Sequence, residues 1–298
     1  MADSKDVRIA LTFDYDAMSN WINTSGGRSP GMISRGEFGP IALRRILPLL
    51  DAHGIKSTFF VPGHTALAYP DTVKAIHAAG HEIGHHGWVH ENPTALSAER
   101  ERQVLLKGLE ALDAVVGIRP VGYRSPGWDN SAVTVPLLLE CGFEYESSLM
   151  GSDFEPYWCR VGDECSTTEE FRWGTPVTLI ELPVAWHLDD FIQFEFVATP
   201  TGILNAARST TMAWEIWKGE FDYLYQQIGR GVMNITMHPQ VIGRGHRLLF
   251  LERFIDYVLG HAGVSFTTCV DYVRQWRVGR TPVLPRDAGP TRARAVSR

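Results

Sequence analysis

Short apolar runs alternate along the chain with longer amphipathic segments. The apolar runs are rich in β-branched and aromatic residues, as in buried strands, and the longer segments have helical spacing. The predicted strands are VRIALTF, STFFVP, EIG, VGY, FEYE, VTLIELP, VMNITM and VSFT. The predicted helices cover residues 40–52, 71–79, 97–116, 132–141, 203–228, 247–260 and 271–278. This β/α order predicts an α/β fold with a parallel sheet, closed into a barrel of seven or eight units.

Two long stretches interrupt the alternation, at residues 17–39 and 151–175. Loops of this length in a compact domain are usually functional, and both stretches contain Trp and Arg, so we expect ordered lids. The last part of the chain, residues 279–298, is predicted to be a solvated tail. We therefore expect one barrel domain over residues 1–298, with two lids and a tail.

Composition excludes several functional classes. The net charge of -6 has no basic concentration outside the C-terminal tail, so we expect no nucleic-acid partner. Neither a membrane-spanning run of about 18 apolar residues nor a secretory leader is present, which predicts a cytoplasmic protein without a membrane partner. The four cysteines are irregularly spaced and suggest free thiols, with a pair between Cys159 and Cys165 as the less favoured alternative.

Polar side chains follow several predicted strands at the point where each strand ends. In an α/β barrel these ends meet on one face, where catalytic residues gather. The set offers a carboxylate and two imidazoles for a metal, a second carboxylate as base and a further histidine as acid, which predicts a hydrolase. Its members are Asp14 and Asp16, His86 and His90, Arg124, and His238.

Spacing supports the metal site. Residues two apart on an extended strand point to the same side, so Asp14 and Asp16 face one cavity while Tyr15 points away. One carboxylate can then bind metal while the other stays free. His86 and His90 are four apart, which places both imidazoles on one face if the segment turns helically.

Each of these residues also has an ordinary structural interpretation. The pairs His77/His81 and His81/His85 have the same spacing, although their positions favour surface or capping residues. A strand-end aspartate often caps the next helix, a buried arginine is often a plain ion-pair partner, and His238 could be a core histidine. The joint occurrence of all the fragments favours the catalytic interpretation.

In order and in local sequence, the fragments resemble the polysaccharide deacetylase family, also called the NodB homology family, over residues 7–265. The resemblance implies a distorted (β/α) barrel that holds a divalent metal, usually zinc, with one Asp and two His. By position, T-F-D-x-D implies Asp14 as base and Asp16 as metal ligand. The pattern G-H-E-I-x-x-H-x-x-x-H implies His86 and His90 as the other ligands.

Two further motifs complete the resemblance. R-x-P-G-W implies that Arg124 holds the base, and the last strand followed by His-Pro implies His238 as the acid that protonates the departing nitrogen. The resemblance implies zinc as cofactor, but two His and one carboxylate also suit cobalt, nickel or iron. A backbone N–H near Trp128 is expected to help hold the oxyanion.

The chain departs from the family pattern in one place. Deacetylases of chitin and peptidoglycan usually have adjacent aspartates, whereas Tyr15 separates them here. The spaced form is similar to a cytoplasmic branch that includes allantoinases and cyclic imide hydrolases. The segments SRGEFG (34–39), FFVPG (59–63) and HPQVIGR (238–244) also resemble that branch.

Substrate-binding residues are expected next to these motifs. Trp128 and Trp186 are candidates for lining the pocket. Arg35 and Glu37 in the first lid could bind a polar substrate. The main expectation is a metal-dependent hydrolase of the carbon–nitrogen bond of a small amide or cyclic imide. The alternatives are a deacetylase of N-acetylated sugars or oligosaccharides and a catalytically silent binding protein. The partner is then a small-molecule substrate, and the resemblance favours a homo-oligomer.

Overall fold

The computed structural model describes residues 5–199, 202–205 and 209–284. The strands alternate with helices along most of this length. The strands are β1 (Asp6–Asp14), β2 (Thr58–Val61), β3 (Glu82–His85), β4 (Gly122–Tyr123), β5 (Tyr145–Glu146), β6 (Tyr157–Val161), β7 (Thr175–Glu181), β8 (Phe196–Thr199), β9 (Gly202–Asn205), β10 (Arg230–Met237) and β11 (Val264–Phe266).

The helices pack around this set of strands. They are α1 (Ser19–Ser25), α2 (Pro30–Glu37), α3 (Gly39–Ala52), α4 (Gly63–Ala68), α5 (Pro70–Ala78), α6 (Ala98–Val116), α7 (Thr134–Glu140), α8 (Asp190–Phe194), α9 (Thr210–Tyr223), α10 (Pro239–Ile242), α11 (Gly245–Leu259) and α12 (Cys269–Arg277). None of the described helices is both long enough and apolar enough to cross a bilayer.

One curled sheet contains most of the strands, in the order β10-β1-β2-β3-β4-β5-β7-β6. All neighbours along this order run parallel except β6, which pairs antiparallel with β7 at the edge. β11 adds a short parallel pairing to the first half of β1. The predicted distorted barrel of seven or eight β/α units is therefore confirmed, and β8 and β9 form a separate hairpin.

The curled sheet closes only partly into a barrel. Between β10 and the chain after β7, the described contacts include a single β-bridge, which joins Asp189 to Thr236. A side chain supplements it, because Asn234 Nδ2 donates to the carbonyl of Pro183 at 3.0 Å. A polar side chain thus replaces part of the missing strand ladder and leaves this side of the barrel more open.

Alternation along β1 separates the two layers of the core. Ile9, Leu11 and Phe13 belong to the large cluster that packs the sheet against the helices. Ala10 points the other way, into a smaller cluster that includes Phe60. Since successive residues of a strand face opposite sides, Asp14 shares the inner face with Ala10.

Two predictions about secondary structure are wrong. The helix predicted over residues 203–228 begins only at Thr210, because Gly202–Asn205 pairs with β8. At its other end, a π-helical turn covers Leu224–Ile228. A short apolar run fits either period, so the hairpin partner decided it. The two stretches treated as loops also contain regular structure, since 17–39 includes α1 and α2 and 151–175 includes β6.

Two further predictions from the sequence concern the cysteine thiols and the C-terminal tail. All four cysteines are free, so the alternative pair between Cys159 and Cys165 does not form. Residues 279–284 follow α12, and the rest of the predicted tail, 285–298, lies outside the described residues. The extent of a single domain over residues 1–298 stays a prediction.

Close helix packing fixes the segment that carries the predicted ligand His86. A Cβ atom at Gly108 in α6 would lie 2.3 Å from His85 Nε2 and 2.7 Å from the carbonyl oxygen of Gly87. The helix therefore approaches this loop as closely as only glycine allows. His85 Nε2 is itself bonded to the carbonyl of Leu105 at 3.0 Å, one turn earlier in the same helix.

We expect Gly108→Ala to destabilise the protein by roughly 1–3 kcal/mol, because α6 must move away from the His85–Gly87 backbone. Gly219→Ala is the matched control, since a Cβ at this helical glycine meets no atom within 4 Å. That change should instead stabilise the protein by about 0.4–1 kcal/mol through the unfolded chain. Urea unfolding midpoints of both variants measure the difference, and equal midpoints would contradict the packing argument.

Candidate active site

The predicted functional residues meet at the carboxyl edge of four neighbouring strands. Asp16 follows β1, His86 follows β3, Arg124 follows β4 and His238 follows β10. Because these strands are parallel and lie side by side with β2 among them, their ends bring the four side chains to one cavity.

Asp14 and Arg124 form a buried ion pair across this cavity. Arg124 Nη1 donates to Asp14 Oδ1 at 2.8 Å, and the two residues are 0% and 2% exposed. The second carboxylate oxygen, Oδ2, lies 3.9 Å from His86 Nε2. One oxygen of Asp14 is therefore held by the arginine, while the other faces the predicted metal ligands.

Neutral groups hold the remainder of the guanidinium in place. Nη1 also donates to Thr12 Oγ1 at 2.9 Å, and Nε and Nη2 donate to the carbonyl and hydroxyl of Ser147 at 2.9 and 3.0 Å. The ring of Phe60 lies 4.2 Å from the guanidinium carbon. Since Asp14 is the one carboxylate that Arg124 contacts among its described partners, the positive charge is directed at that side chain.

Asp16, His86 and His90 converge with the spacing of a metal site. His86 Nε2 lies 3.4 Å from Asp16 Oδ1, and His90 Nε2 lies 3.8 Å from Asp16 Oδ2. One ligand atom from each of the three residues lies within 4.8 Å of the others. His86 Nδ1 is bonded to the carbonyl of Arg124 at 2.7 Å, which leaves Nε2 free to act as a ligand.

The hydrogen bonding of the cluster fits a cation. Both carboxylate oxygens of Asp16 and Nε2 of His86 are buried without a hydrogen-bond partner, an arrangement that is costly unless another group satisfies them. Burial raises the pKa of Asp16, but His90, His86 and His238 outweigh it and lower the value to about 2. Burial lowers the pKa of His90 to about 4, although Asp16 raises it. Burial lowers the pKa of His86, but Asp14 and Asp16 raise it by more, so the pKa is above its ordinary value.

Three residues around the cavity have left-handed backbone conformations without being glycine. They are Ala17, with φ of 46°, His90, with φ of 65°, and Trp128, with φ of 55°. Such conformations cost of order 1–3 kcal/mol each and persist where the surroundings impose them. One such constraint at His90 is Asn23 in α1, whose Nδ2 donates to the His90 carbonyl at 2.8 Å.

His238 lies beside Asp16 and is held by Asp190. Its Nε2 lies 3.8 Å from Asp16 Oδ2, and its Nδ1 bonds to Asp190 Oδ1 at 2.8 Å. The backbone N–H of His238 also donates to the Asp190 carboxylate, at 3.0 and 3.1 Å. Burial lowers the pKa of His238, but Asp190, Asp189 and Asp16 raise it well above its ordinary value. The imidazole is therefore poised as a proton donor.

Aromatic side chains form the rim of the cavity. The rings of Trp128 and Trp186 stack with centroids 4.4 Å apart, and Trp186 is 41% exposed. Phe191 lies 5.3 Å from the ring of His238, and Trp21 lies 6.1 Å from Phe191. The two tryptophans predicted to line the pocket are thus stacked on each other, and Trp186 is the more exposed of the two.

The structure places Arg35 and Glu37 farther from the cavity than the motif residues. Arg35 pairs with Glu195, and its guanidinium carbon lies 4.5 Å from the ring of Trp21. Glu37 is exposed at the end of α2 and is close enough to Tyr69 to raise the pKa of that residue, after burial. Substrate contact by Arg35 or Glu37 stays a prediction.

The segment that contains them also has a packing role. A Cβ atom at Gly36 would lie 2.1 Å from the carbonyl oxygen of Ala17, so α2 presses directly on the backbone that follows Asp16. This contact explains why glycine stands between Arg35 and Glu37.

The rival histidine pairs have other partners. His77 is exposed on α5, and His81 Nδ1 accepts the backbone N–H of Ser57 at 3.1 Å. His85 bonds to helix α6, away from the cavity. The backbone N–H of Trp128 is also occupied, because it donates to the carbonyl of Ser125 at 3.0 Å. That N–H is therefore not free to hold an oxyanion.

Sequence reasoning left some positioning residues unassigned. The segment WHLDD allows two interpretations, in which Asp189 and Asp190 orient His238 or cap a loop, and the sequence analysis does not single out Ser147 or Asn234. Both contact the arginine network, since Asn234 Nδ2 donates to Ser147 Oγ at 3.1 Å. A polar residue inside an apolar strand, such as Asn234 in VMNITM, is the one local sign that could have identified them.

Comparisons with known proteins agree with this geometry. The sequence profile of the family described as polysaccharide deacetylase matches residues 2–145. The peptidoglycan deacetylase of Helicobacter pylori is 36% identical over 277 residues, which cover 89% of this chain and 94% of that protein.

Two solved structures are similar over almost the whole chain. A Mycobacterium smegmatis protein assigned to the polysaccharide deacetylases is 37% identical, with a TM-score of 0.81 and coverage of 96% of both chains. The PuuE allantoinase is 26% identical, with a TM-score of 0.73 and coverage of 93% of this chain and 92% of that one. Together with the site, these findings show that the chain belongs to the polysaccharide deacetylase family and is a hydrolase of carbon–nitrogen bonds other than peptide bonds.

Proposed function

We propose that the chain removes the acetyl group from N-acetylated sugars, with Asp14 as base and His238 as acid. The observation that carries this proposal is that both groups lie next to the Asp16–His86–His90 cluster, each beside a different member of it. Asp14 Oδ2 lies 3.9 Å from His86 Nε2, and His238 Nε2 lies 3.8 Å from Asp16 Oδ2. The similarity to the Helicobacter pylori peptidoglycan deacetylase supports an N-acetylated sugar as substrate. A catalytically silent protein is the least supported alternative.

Asp16, His86 and His90 would hold a divalent cation, for which zinc is the first candidate. A bound cation supplies Lewis acidity, which lowers the pKa of water and polarises a carbonyl group. The remaining chemistry belongs to the side chains of the chain itself.

Asp14 is placed to accept the proton of the attacking water. Its Oδ1 is held by Arg124, so the proton goes to Oδ2, which faces the cluster. Because Arg124 is fixed by Thr12 and Ser147, the carboxylate cannot rotate away without breaking the ion pair. Such positioning by a rigid partner is a large part of what a general base contributes.

His238 is placed to protonate the departing nitrogen, since an amide nitrogen cannot leave as an anion. Asp190 accepts Nδ1–H, which fixes the ring and directs Nε2 toward the cavity. The raised pKa keeps the imidazole protonated near neutral pH. The products are acetate and a free amine on the sugar.

A small amide or cyclic imide is the second candidate substrate. The likeness to an allantoinase and the separation of Asp14 from Asp16 by Tyr15 favour it. The stacked Trp128 and Trp186 would suit a flat ring as well as the apolar face of a sugar. Both substrates require the same attack on a carbonyl carbon and the same protonation of nitrogen. A cytoplasmic location stays a prediction.

A substrate panel separates the two candidates. We expect N-acetylglucosamine oligomers to release acetate at a rate well above that with succinimide or allantoin, measured by acetate assay and by ring-opening absorbance. Ring opening without any acetate release would contradict the proposal and favour the imide substrate. Sugar monomers and oligomers of increasing length serve as controls for binding along the rim.

His90→Gln should reduce metal affinity by at least ~10–100-fold. Loss of a residue that only orients a ligand has an effect of that size, and here the ligand atom itself is removed. His77→Gln is the matched control, since His77 is exposed on α5. Elemental analysis after dialysis measures the retained metal in both variants. Equal metal content in His90→Gln and His77→Gln would refute the assignment of His90 as a ligand.

Asp190→Asn should lower kcat by roughly 10²-fold or more, in the range for loss of a positioned proton donor. Removing its charge lowers the pKa of His238, so the imidazolium is lost at lower pH and the alkaline limb of kcat moves to lower pH. Asp189→Asn is the control for the hydrogen bond, because Asp189 also raises the pKa of His238 through its charge but lies 3.7 Å from Nδ1 and does not replace the bond to Asp190. That variant should shift the alkaline limb while keeping more of kcat than Asp190→Asn. An unmoved alkaline limb in Asp190→Asn would exclude His238 as the acid.

A further inference from the structure

A pair of buried carboxyl groups lies behind Arg124, outside the cavity. Glu146 ends β5 and Glu181 ends β7, and the two residues are direct partners in the parallel register. Both side chains are fully buried, and one N–H group, that of Ser148, lies within hydrogen-bond distance of both carboxyl groups. Their hydrogen-bond partners among the described residues are the neutral groups of Ser148, Leu149 and Cys159.

Such a pair holds one proton, because two buried carboxylates in contact cannot both be ionised. The hydrogen bonds identify its position. Glu146 accepts with both oxygens, Oε1 from the Ser148 hydroxyl and Oε2 from the Ser148 N–H at 3.2 Å. Glu181 Oε1 accepts two N–H groups, from Ser148 and Leu149, at 2.9 Å each. Among the described residues, Glu181 Oε2 is contacted only by the weak S–H donor of Cys159, at 3.9 Å, so it is the oxygen best placed to carry the shared proton.

The segment that the pair holds is the one that grips Arg124. Ser148 Oγ accepts the backbone N–H of Ser125 at 2.7 Å. The carbonyl and hydroxyl of Ser147 accept Nε and Nη2 of Arg124. Arg124 and Ser125, which follow β4, thus contact Ser147 and Ser148, which follow β5, and Ser148 is bonded in turn to the carboxyl pair.

We infer that Glu146 and Glu181 are a positioning pair, which shares one proton and fixes residues 147–149 so that Arg124 stays set against Asp14. The inference rests on the proposed function, in which Asp14 is the base. Neither glutamate touches the reacting atoms, so both act through the arginine.

The other titratable groups close to the carboxyl pair do not compensate a change of its charge. The titratable groups that face it are Tyr157 and Cys159 of β6 and Tyr123 of β4, and burial raises the pKa of each, so they stay neutral. The charged Arg160 is beside Cys159 but bonds to Asp163.

Loss of the shared proton would place two negative charges in one buried site and displace residues 147–149. Burial, then the charge of Glu146, raises the pKa of Glu181 well above 4.5. The folded chain therefore binds this proton more tightly than the unfolded chain, and stability falls as pH rises from about 4.5 through the raised pKa.

Two substitutions of the same type distinguish the two glutamates. In Glu181→Gln the amide oxygen can still accept from Ser148 and Leu149, and the amide nitrogen with its N–H groups takes the place of the protonated Oε2. In Glu146→Gln an N–H group must face a donor on Ser148. We expect Glu146→Gln to lose about tenfold or more in kcat relative to Glu181→Gln, with similar KM values, because a small misplacement of Arg124 affects the reaction and not binding.

Two readouts do not depend on turnover. The infrared carbonyl band of a buried protonated carboxyl should be present in the unmodified protein and absent in Glu181→Gln. The fall of Tm with rising pH should also become flatter in that variant. Absence of the band, or equal kcat in the two variants, would overturn the inference. If no substrate is hydrolysed, the proposed function fails, but the band and the Tm slope still decide the pair, even if Glu146→Gln does not fold.

Discussion

The buried ion pair between Asp14 and Arg124 is the interaction on which the site depends. It joins the end of β1 to the end of β4, two strands that are separated by β2 and β3 in the sheet. Removing both charges from water is costly unless the remaining donors are satisfied, and here Thr12, Ser147 and the ring of Phe60 satisfy the guanidinium. The pair therefore links the carboxyl ends of two strands that are not neighbours in the sheet.

The proposed base and the proposed acid have separate charge partners. Asp14 is paired with an arginine, and His238 is paired with Asp190. Asp16 lies beside His238 with both oxygens unbonded. Groups of opposite function can lie this close because their surroundings, and not their intrinsic chemistry, determine where the proton resides.

Much of the fold and the site could be predicted from local sequence, because the relevant physics is local. Alternation of apolar residues along β1 assigns Ile9 to the helix side and Asp14 to the inside without any knowledge of the partner strands. The alternating β/α order fixes a parallel sheet, and a parallel sheet brings its carboxyl ends together. The side chains of Asp14, Asp16, His86, His90, Arg124 and His238 therefore met where the order of strands required.

Contacts between distant segments were decided only by the tertiary structure. Ser147, Asn234 and Glu181 gain their roles from neighbours far away in the chain, and no local pattern indicates which neighbours these are. The hairpin that replaced part of a predicted helix and the open side of the barrel depend on pairing partners for the same reason. The sequence by itself determined the chemical groups and the edge at which they gather. Three-dimensional packing decided which atom each group faces and where each proton is held, because burial and hydrogen bonding arise only when separate segments meet.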